Sequence, residues 1–247
     1  SPRNRRGGAI GGTRREIMPR SSEGAAAPAP LGNWRCVYYA VPIAICLYFN
    51  WLGLKTWFTG DDFAWLSLRL QVHSFHDLLW ALFTPLAQGT VRTLSERAYF
   101  LLFSSVFGLD PLPFRIAAFL TQFANLILLA SITRRITRSN LAGFLAPVFW
   151  CVHPAMAVAM NWNSAYNELL CSFFILSAFY FLLNHIQTGA PRHLAGLWLC
   201  FLLGFGALEH IVVFPALAPF YSLCLARSSF LKPFPLFFPS AVFAFFH

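Results

Sequence analysis

From Trp34 to Leu54 the chain carries one charged residue, Arg35, in a run rich in Val, Ile, Leu, Tyr and Phe. A run of about 20 apolar residues matches the length that crosses a hydrocarbon core of ~30 Å. Similar runs recur downstream, so the constraint applies to nearly the whole chain. With 57% hydrophobic and 11% charged residues, against about 25% charged in an ordinary soluble domain, there is too little polar surface to cover a water-soluble globule. Backbone polar groups in lipid must be satisfied within each segment, which favours helices. The expected fold is all-α: a polytopic transmembrane helix bundle with interfacial helices in its first outer loop.

Residues 1–33 hold Arg3, Arg5, Arg6, Arg14, Arg15 and Arg20 among Gly, Ser, Ala and Pro. That composition predicts a disordered basic tail. The transmembrane domain is then 34–247, with 55–112 as its first extracytoplasmic loop. Within that loop Asp62–Leu70 and Ser74–Phe83 read as short amphipathic helices. Ala98–Phe107 is apolar but only about half a span long, which suits an interfacial or re-entrant segment. Further spans are expected at Pro113–Ile132, Leu141–Met160, Leu169–Leu183, Leu194–Leu208 and Ile211–Ala226. A last one begins at Phe234 and is cut short at His247, which reads as the end of an N-terminal fragment.

Charge assigns the sides. This layout puts Arg134, Arg135, Arg138, Arg192, Arg227 and Lys232 with the basic tail, on the side the positive-inside rule makes cytoplasmic. Seven of the nine acids (Asp61, Asp62, Asp77, Glu96, Asp110, Glu168 and Glu209) fall on the other side. The net charge of +9 therefore reflects membrane orientation, and a nucleic-acid partner is not expected, since no aromatic-plus-basic module accompanies it. The six cysteines lie in apolar runs without short pair spacings and read as small apolar residues.

The candidate chemistry lies on the acidic side. Asp61 and Asp62 are adjacent carboxylates at the exit of the first span. They could cap the helix that follows, act as a general base, or hold a divalent cation through oxygen. His153, Asn163 and Glu168 surround a second polar loop, and Glu209-His210 forms a third group. Arg92, Arg97 and Arg115 are guanidinium groups suited to a phosphate, or to snorkelling at the interface. No Gly-rich phosphate loop, nucleophile elbow, HExxH or CxxC is present.

In order along the chain, Asp61-Asp62-Phe63, Tyr99 through Phe107-Gly108-Leu109 with Pro113-Phe114-Arg115, Val152-His153-Pro154, Trp162 through Glu168-Leu169-Leu170, and Glu209 with Pro215 form a pattern. Over about residues 34–226 it resembles the GT-C type membrane glycosyltransferases that use polyprenyl-phosphate-linked sugars, the protein O-mannosyltransferase and aminoarabinose-transferase-like enzymes. Two positions depart: Tyr166 stands where that pattern has Arg, and Leu208 where it has Lys.

The resemblance implies inverting transfer of a sugar from a polyprenyl-phosphate donor to a hydroxyl of an acceptor protein or glycan. The reaction would take place at the extracytoplasmic face of a membrane, expected to be a bacterial inner membrane. Asp61 or Asp62 would be the base, with a divalent cation as a possible cofactor. Arg92, Arg97, Arg115, His153, Asn163, Glu168, Glu209 and His210 would bind substrate. Competing readings are a transporter or flippase of lipid-linked substrates, which should show inverted repeats and mid-membrane charge, and a non-catalytic scaffold.

Overall fold

Helix ends are written clearly into this sequence. Asp110 accepts a hydrogen bond from the Leu112 amide at 3.0 Å and Pro111 follows it. A capping carboxylate with Pro at the first helical position starts a helix. That helix, Pro111–Thr137, is the longest among the described residues and ends where Arg138 turns into the left-handed region at φ 56°. Tyr166–Thr188 ends likewise at Gly189, φ 65°, where the absence of a Cβ makes the turn inexpensive.

The computed structural model describes residues 30–85, 91–225 and 234–246. The basic tail up to residue 29, and the loop holding Arg227 and Lys232, lie outside them. The helices are α1 (Arg35–Asn50), α2 (Asp62–Ser67), α3 (Phe75–Phe83), α4 (Tyr99–Phe107), α5 (Pro111–Thr137), α6 (Asn140–Cys151), α7 (Pro154–Asn161), α8 (Tyr166–Thr188), α9 (Pro191–Gly204), α10 (Phe214–Leu225) and α11 (Phe237–Phe246). Among the described residues there is no strand.

Among the described residues, three helical stretches are long and apolar enough to cross a membrane: Gly32–Lys55, which is α1 with its flanking 3-10 turns, then α5 and α8. The bent pair α6 and α7 makes a fourth if taken as one span. Only 28%, 39% and 39% of the most apolar windows of the three spans is buried within the protein. Tyr48, Phe49, Leu120 and Phe149 are among the large side chains left exposed. In water that surface would be costly; in lipid it is neutral. The protein is an all-α integral membrane bundle.

The bundle alternates up and down. At its basic end the Tyr38 hydroxyl donates to the Asn140 carbonyl at 3.0 Å, and Arg135 donates to the Asn184 amide oxygen at 2.8 Å with its guanidinium 4.9 Å from the Tyr180 ring centre. At the acidic end the Thr56 hydroxyl reaches the Asn161 side chain at 3.4 Å. Neighbours pack in the order α1, α6, α5, α8, α9. A cluster of Cys46, Leu126 and Cys151 joins α1, α5 and α6, and a second of Ala118, Phe119, Met160 and Leu169 joins α5, α7 and α8. Gly53 packs against the Met160 carbonyl so closely that a Cβ there would overlap it. Gly53→Val is expected to cost about 2 kcal/mol by overpacking, read as a lowered melting temperature in detergent.

The expected span Leu141–Met160 is corrected to two helices meeting at 62°. Pro154 has no amide hydrogen and pushes the residue before it out of the helical region. His153 accordingly sits at φ −70°, ψ 133°. The expected span Leu194–Leu208 appears as α9, of 14 residues, and the expected span Ile211–Ala226 as the 3-10 turn Glu209–Val213 running into α10, which reaches the last described residue before 226. At about 1.5 Å per residue α9 is shorter than a hydrocarbon core.

The first loop holds short helices as expected. Ser74 and Asp77 form a reciprocal capping box at the start of α3, and α4, even with the π-helical turn Thr93–Ala98 that runs into it, is too short to cross. Leu68, Ala81 and Leu101 form the small core shared by these segments, while Phe75, Phe83, Leu102 and Val106 remain exposed.

Candidate functional site

Asp61 and Asp62 do different work. Asp62 is fully buried. One of its oxygens accepts the Thr59 amide at 2.9 Å; the other accepts the Ser164 amide at 2.8 Å and the Ser164 hydroxyl at 2.5 Å. It therefore ties the first loop to the α7–α8 loop, 102 residues away. Arg115, 1% exposed, feels the Asp62 charge and donates at 3.4 Å to the carbonyls of Thr56 and Trp57. With Asp62 so engaged, Asp61 is left exposed, and it lines a cavity of about 710 Å³. Neither side chain caps α2.

The cavity has two kinds of wall. Asp61, Arg92, Glu96, Ser164, Asn167 and Glu168 supply polar groups; Trp150 of α6 and Ala155, Met156, Val158 and Ala159 of α7 supply an apolar face. The bend at Pro154 belongs to the segment that forms this apolar face. Trp65 and Trp162 complete the lining at the loop ends.

Arg92 is held on this wall by two carboxylates. Its Nε donates to both oxygens of Glu209 at 3.0 and 3.2 Å, and its Nη1 donates to Glu96 at 2.7 Å. Glu96 also accepts from the Asn167 amide at 3.1 Å. Burial pulls the Arg92 pKa down, but the hydrogen bonds and charges of Glu209 and Glu96 outweigh it and raise the value. The network joins the first loop, the start of α8 and the 3-10 turn Glu209–Val213. Removing the guanidinium leaves two carboxylates facing each other, so Arg92→Met is expected to cost roughly 2 kcal/mol. Adding Glu209→Gln should restore part of that loss in a thermal melt, a non-additive result.

Of the candidate residues, Asp61, Arg92 and Glu168 line the cavity and Glu209 joins it through Arg92. The others take structural places. Arg97, 1% exposed, donates to the Ala81 carbonyl at 3.1 Å and to the Thr84 carbonyl, closing the end of α3. Arg115 closes the turn after the first span. His153 accepts the Ala155 amide at 3.2 Å and caps α7. Asn163 is buried and His210 exposed, both off the cavity lining. Arg97 and Arg115 are thus buried off the cavity lining and donate to backbone carbonyls, which does not favour the phosphate role read from sequence.

The residues do not fit the divalent cation considered from sequence. Asp62 spends its oxygens on Thr59 and Ser164, and among the described residues no three His, Cys, Asp or Glu side chains gather as a ligand set.

Glu96, counted among the outer acids, and Asn167, inside the Trp162–Glu168 run, were not proposed as site residues from sequence. The signal was present, because Arg92 and Glu96 are opposite charges four residues apart. Tyr166 and Leu208 both pack inward: Tyr166 stacks on Tyr99 with ring centres 4.1 Å apart, and Leu208 is in the α8–α9 core. No protein-family model, no curated protein and no solved structure matches this chain.

Proposed function

We propose that the protein is a GT-C-like integral membrane glycosyltransferase that moves a sugar from a polyprenyl-phosphate donor to an acceptor hydroxyl at the extracytoplasmic face. One observation carries this reading: an exposed carboxylate, Asp61, lies in the same cavity as an apolar helix face and a polar wall. A donor with a hydrocarbon tail and an acceptor from water need such a two-sided space.

Asp61 accepts the proton of the acceptor hydroxyl as that oxygen attacks the anomeric carbon. The bond from that carbon to the phosphate oxygen breaks, and the polyprenyl phosphate leaves with the electron pair. Attack opposite the leaving group inverts the anomeric centre. Asp62 acts as a positioning residue, since its bonds to Ser164 fix the loop that carries Asp61. The test is sugar transfer by the purified chain in lipid nanodiscs, with a polyprenyl-phosphate sugar as donor. Transfer lost in Asp61→Asn at unchanged melting temperature supports the reading; equal transfer by the two forms overturns it.

A second reading has one observation in its favour. The bend between α6 and α7 beside the cavity is the type of helix break that lines transporter sites. Movement of a lipid-linked sugar across sealed vesicles, unaffected by Asp61→Asn and without covalent transfer, would favour it.

A further inference from the structure

We propose that this cavity binds a positively charged ammonium group carried by the acceptor, an inference that rests on the transferase reading and narrows its substrate class. The charges lining the cavity do not balance. Three carboxylates, Asp61, Glu96 and Glu168, face one guanidinium, Arg92. Arg92 is already shared between Glu96 and Glu209, at 2.7 and 3.0 Å. The carboxylates of Asp61 and Glu168 have no hydrogen bond or ion pair among the described residues, and both residues are exposed to the cavity.

A donor phosphate entering alone would add negative charge to a wall already in surplus. An acceptor bearing an ammonium group offsets both.

The aromatic lining points the same way independently. Trp65, Trp150 and Trp162 come from α2, α6 and the α7–α8 loop and converge on this one cavity. Indole is the strongest of the aromatic faces for an ammonium, and the attraction grows as water is excluded. An apolar cavity alone does not require three indoles drawn from separate elements together with two unpaired carboxylates. The ammonium sits between the indoles and Glu168, which leaves the acceptor hydroxyl for Asp61. The acceptor is therefore an amino-alcohol type group, either free or part of a lipid headgroup.

The experiment is saturation-transfer NMR on the full 247-residue chain in maltoside micelles, with choline and its uncharged isostere 3,3-dimethyl-1-butanol as probes. Choline is expected to bind at least ten-fold more tightly than the isostere. Glu168→Gln and Trp150→Leu, each checked for an unchanged melting temperature, should weaken choline five- to ten-fold, while His76→Ala, on an exposed residue away from the cavity, leaves it as it was. Equal binding of the two probes, or choline binding indifferent to Glu168→Gln, overturns the proposal. In nanodiscs of phosphatidylethanolamine, a several-fold loss of choline affinity relative to phosphatidylglycerol assigns the site to a lipid headgroup; equal affinity assigns it to a free amine.

Sugar transfer is measured in the same preparation. Transfer that depends on Asp61 but occurs without any choline binding overturns this inference and leaves the transferase reading in place. Choline binding without transfer from any polyprenyl-phosphate sugar leaves the cation site and overturns the transferase reading.

Discussion

Asp62→Ala is expected to destabilise the protein by about 3 kcal/mol or more, the largest effect on stability of any single exposed-loop or site substitution considered. The change strands three donors, the amides of Thr59 and Ser164 and the Ser164 hydroxyl, and removes the negative charge beside buried Arg115. Leaving buried donors unpaired costs about 1–3 kcal/mol each, and losing the nearby carboxylate charge leaves buried Arg115 less well compensated. These losses overlap, so they do not simply add. Asp62→Asn keeps one acceptor oxygen for Ser164 and should lose less. Melting in detergent, with Ser164→Ala as the second arm of a double-mutant cycle, reads the coupling. If Asp62→Ala and Ser164→Ala add without interaction, the link between the two loops has no energetic weight.

Asp61→Asn is expected to lower sugar transfer by roughly 10² to 10⁴, the range a positioned general base contributes, while leaving the melting temperature nearly unchanged. The contrast follows from placement: Asp61 is exposed on the cavity wall with no hydrogen bond to its carboxylate among the described residues, whereas the Asp62 carboxylate is buried and bonded through both oxygens. Loss of activity should appear in kcat more than in KM, because proton transfer belongs to the transition state. The reverse pattern, an inert Asp61→Asn and a well-folded but inactive Asp62→Asn, would exchange the roles assigned to the two residues.

Much of the fold was legible because lipid makes a simple demand. Long apolar runs had to be helices, so the first span, α5 and α8 could be placed from hydropathy. Their ends were not placed: α5 and α8 run beyond the expected Pro113–Ile132 and Leu169–Leu183, to the caps at Asp110 and Gly189. The break at Pro154 was hidden from the span count, because hydropathy sums side chains and is blind to a missing amide hydrogen. The short α9 was hidden for a related reason: a run of apolar letters does not say where helical geometry stops.

The site was legible in part. Charged residues are so scarce here that those near span ends were natural candidates, and Asp61, Arg92, Glu168 and Glu209 do gather. Residue type does not reveal what a side chain is bonded to. Arg97 and Arg115 looked like free guanidinium groups and instead hold backbone carbonyls. Glu96 was passed over although its partner stands one helical turn away.

The elbow between α6 and α7 has a kinetic corollary. On the proposed transferase reading, a lipid-linked donor entering past Val158, which is exposed on α7, would arrive from within the two-dimensional oil of the leaflet, not from the bulk. Its effective supply would then be a mole fraction among lipids, and diluting the bilayer with inert lipid is expected to slow turnover even when the total amount of donor in the tube is held constant.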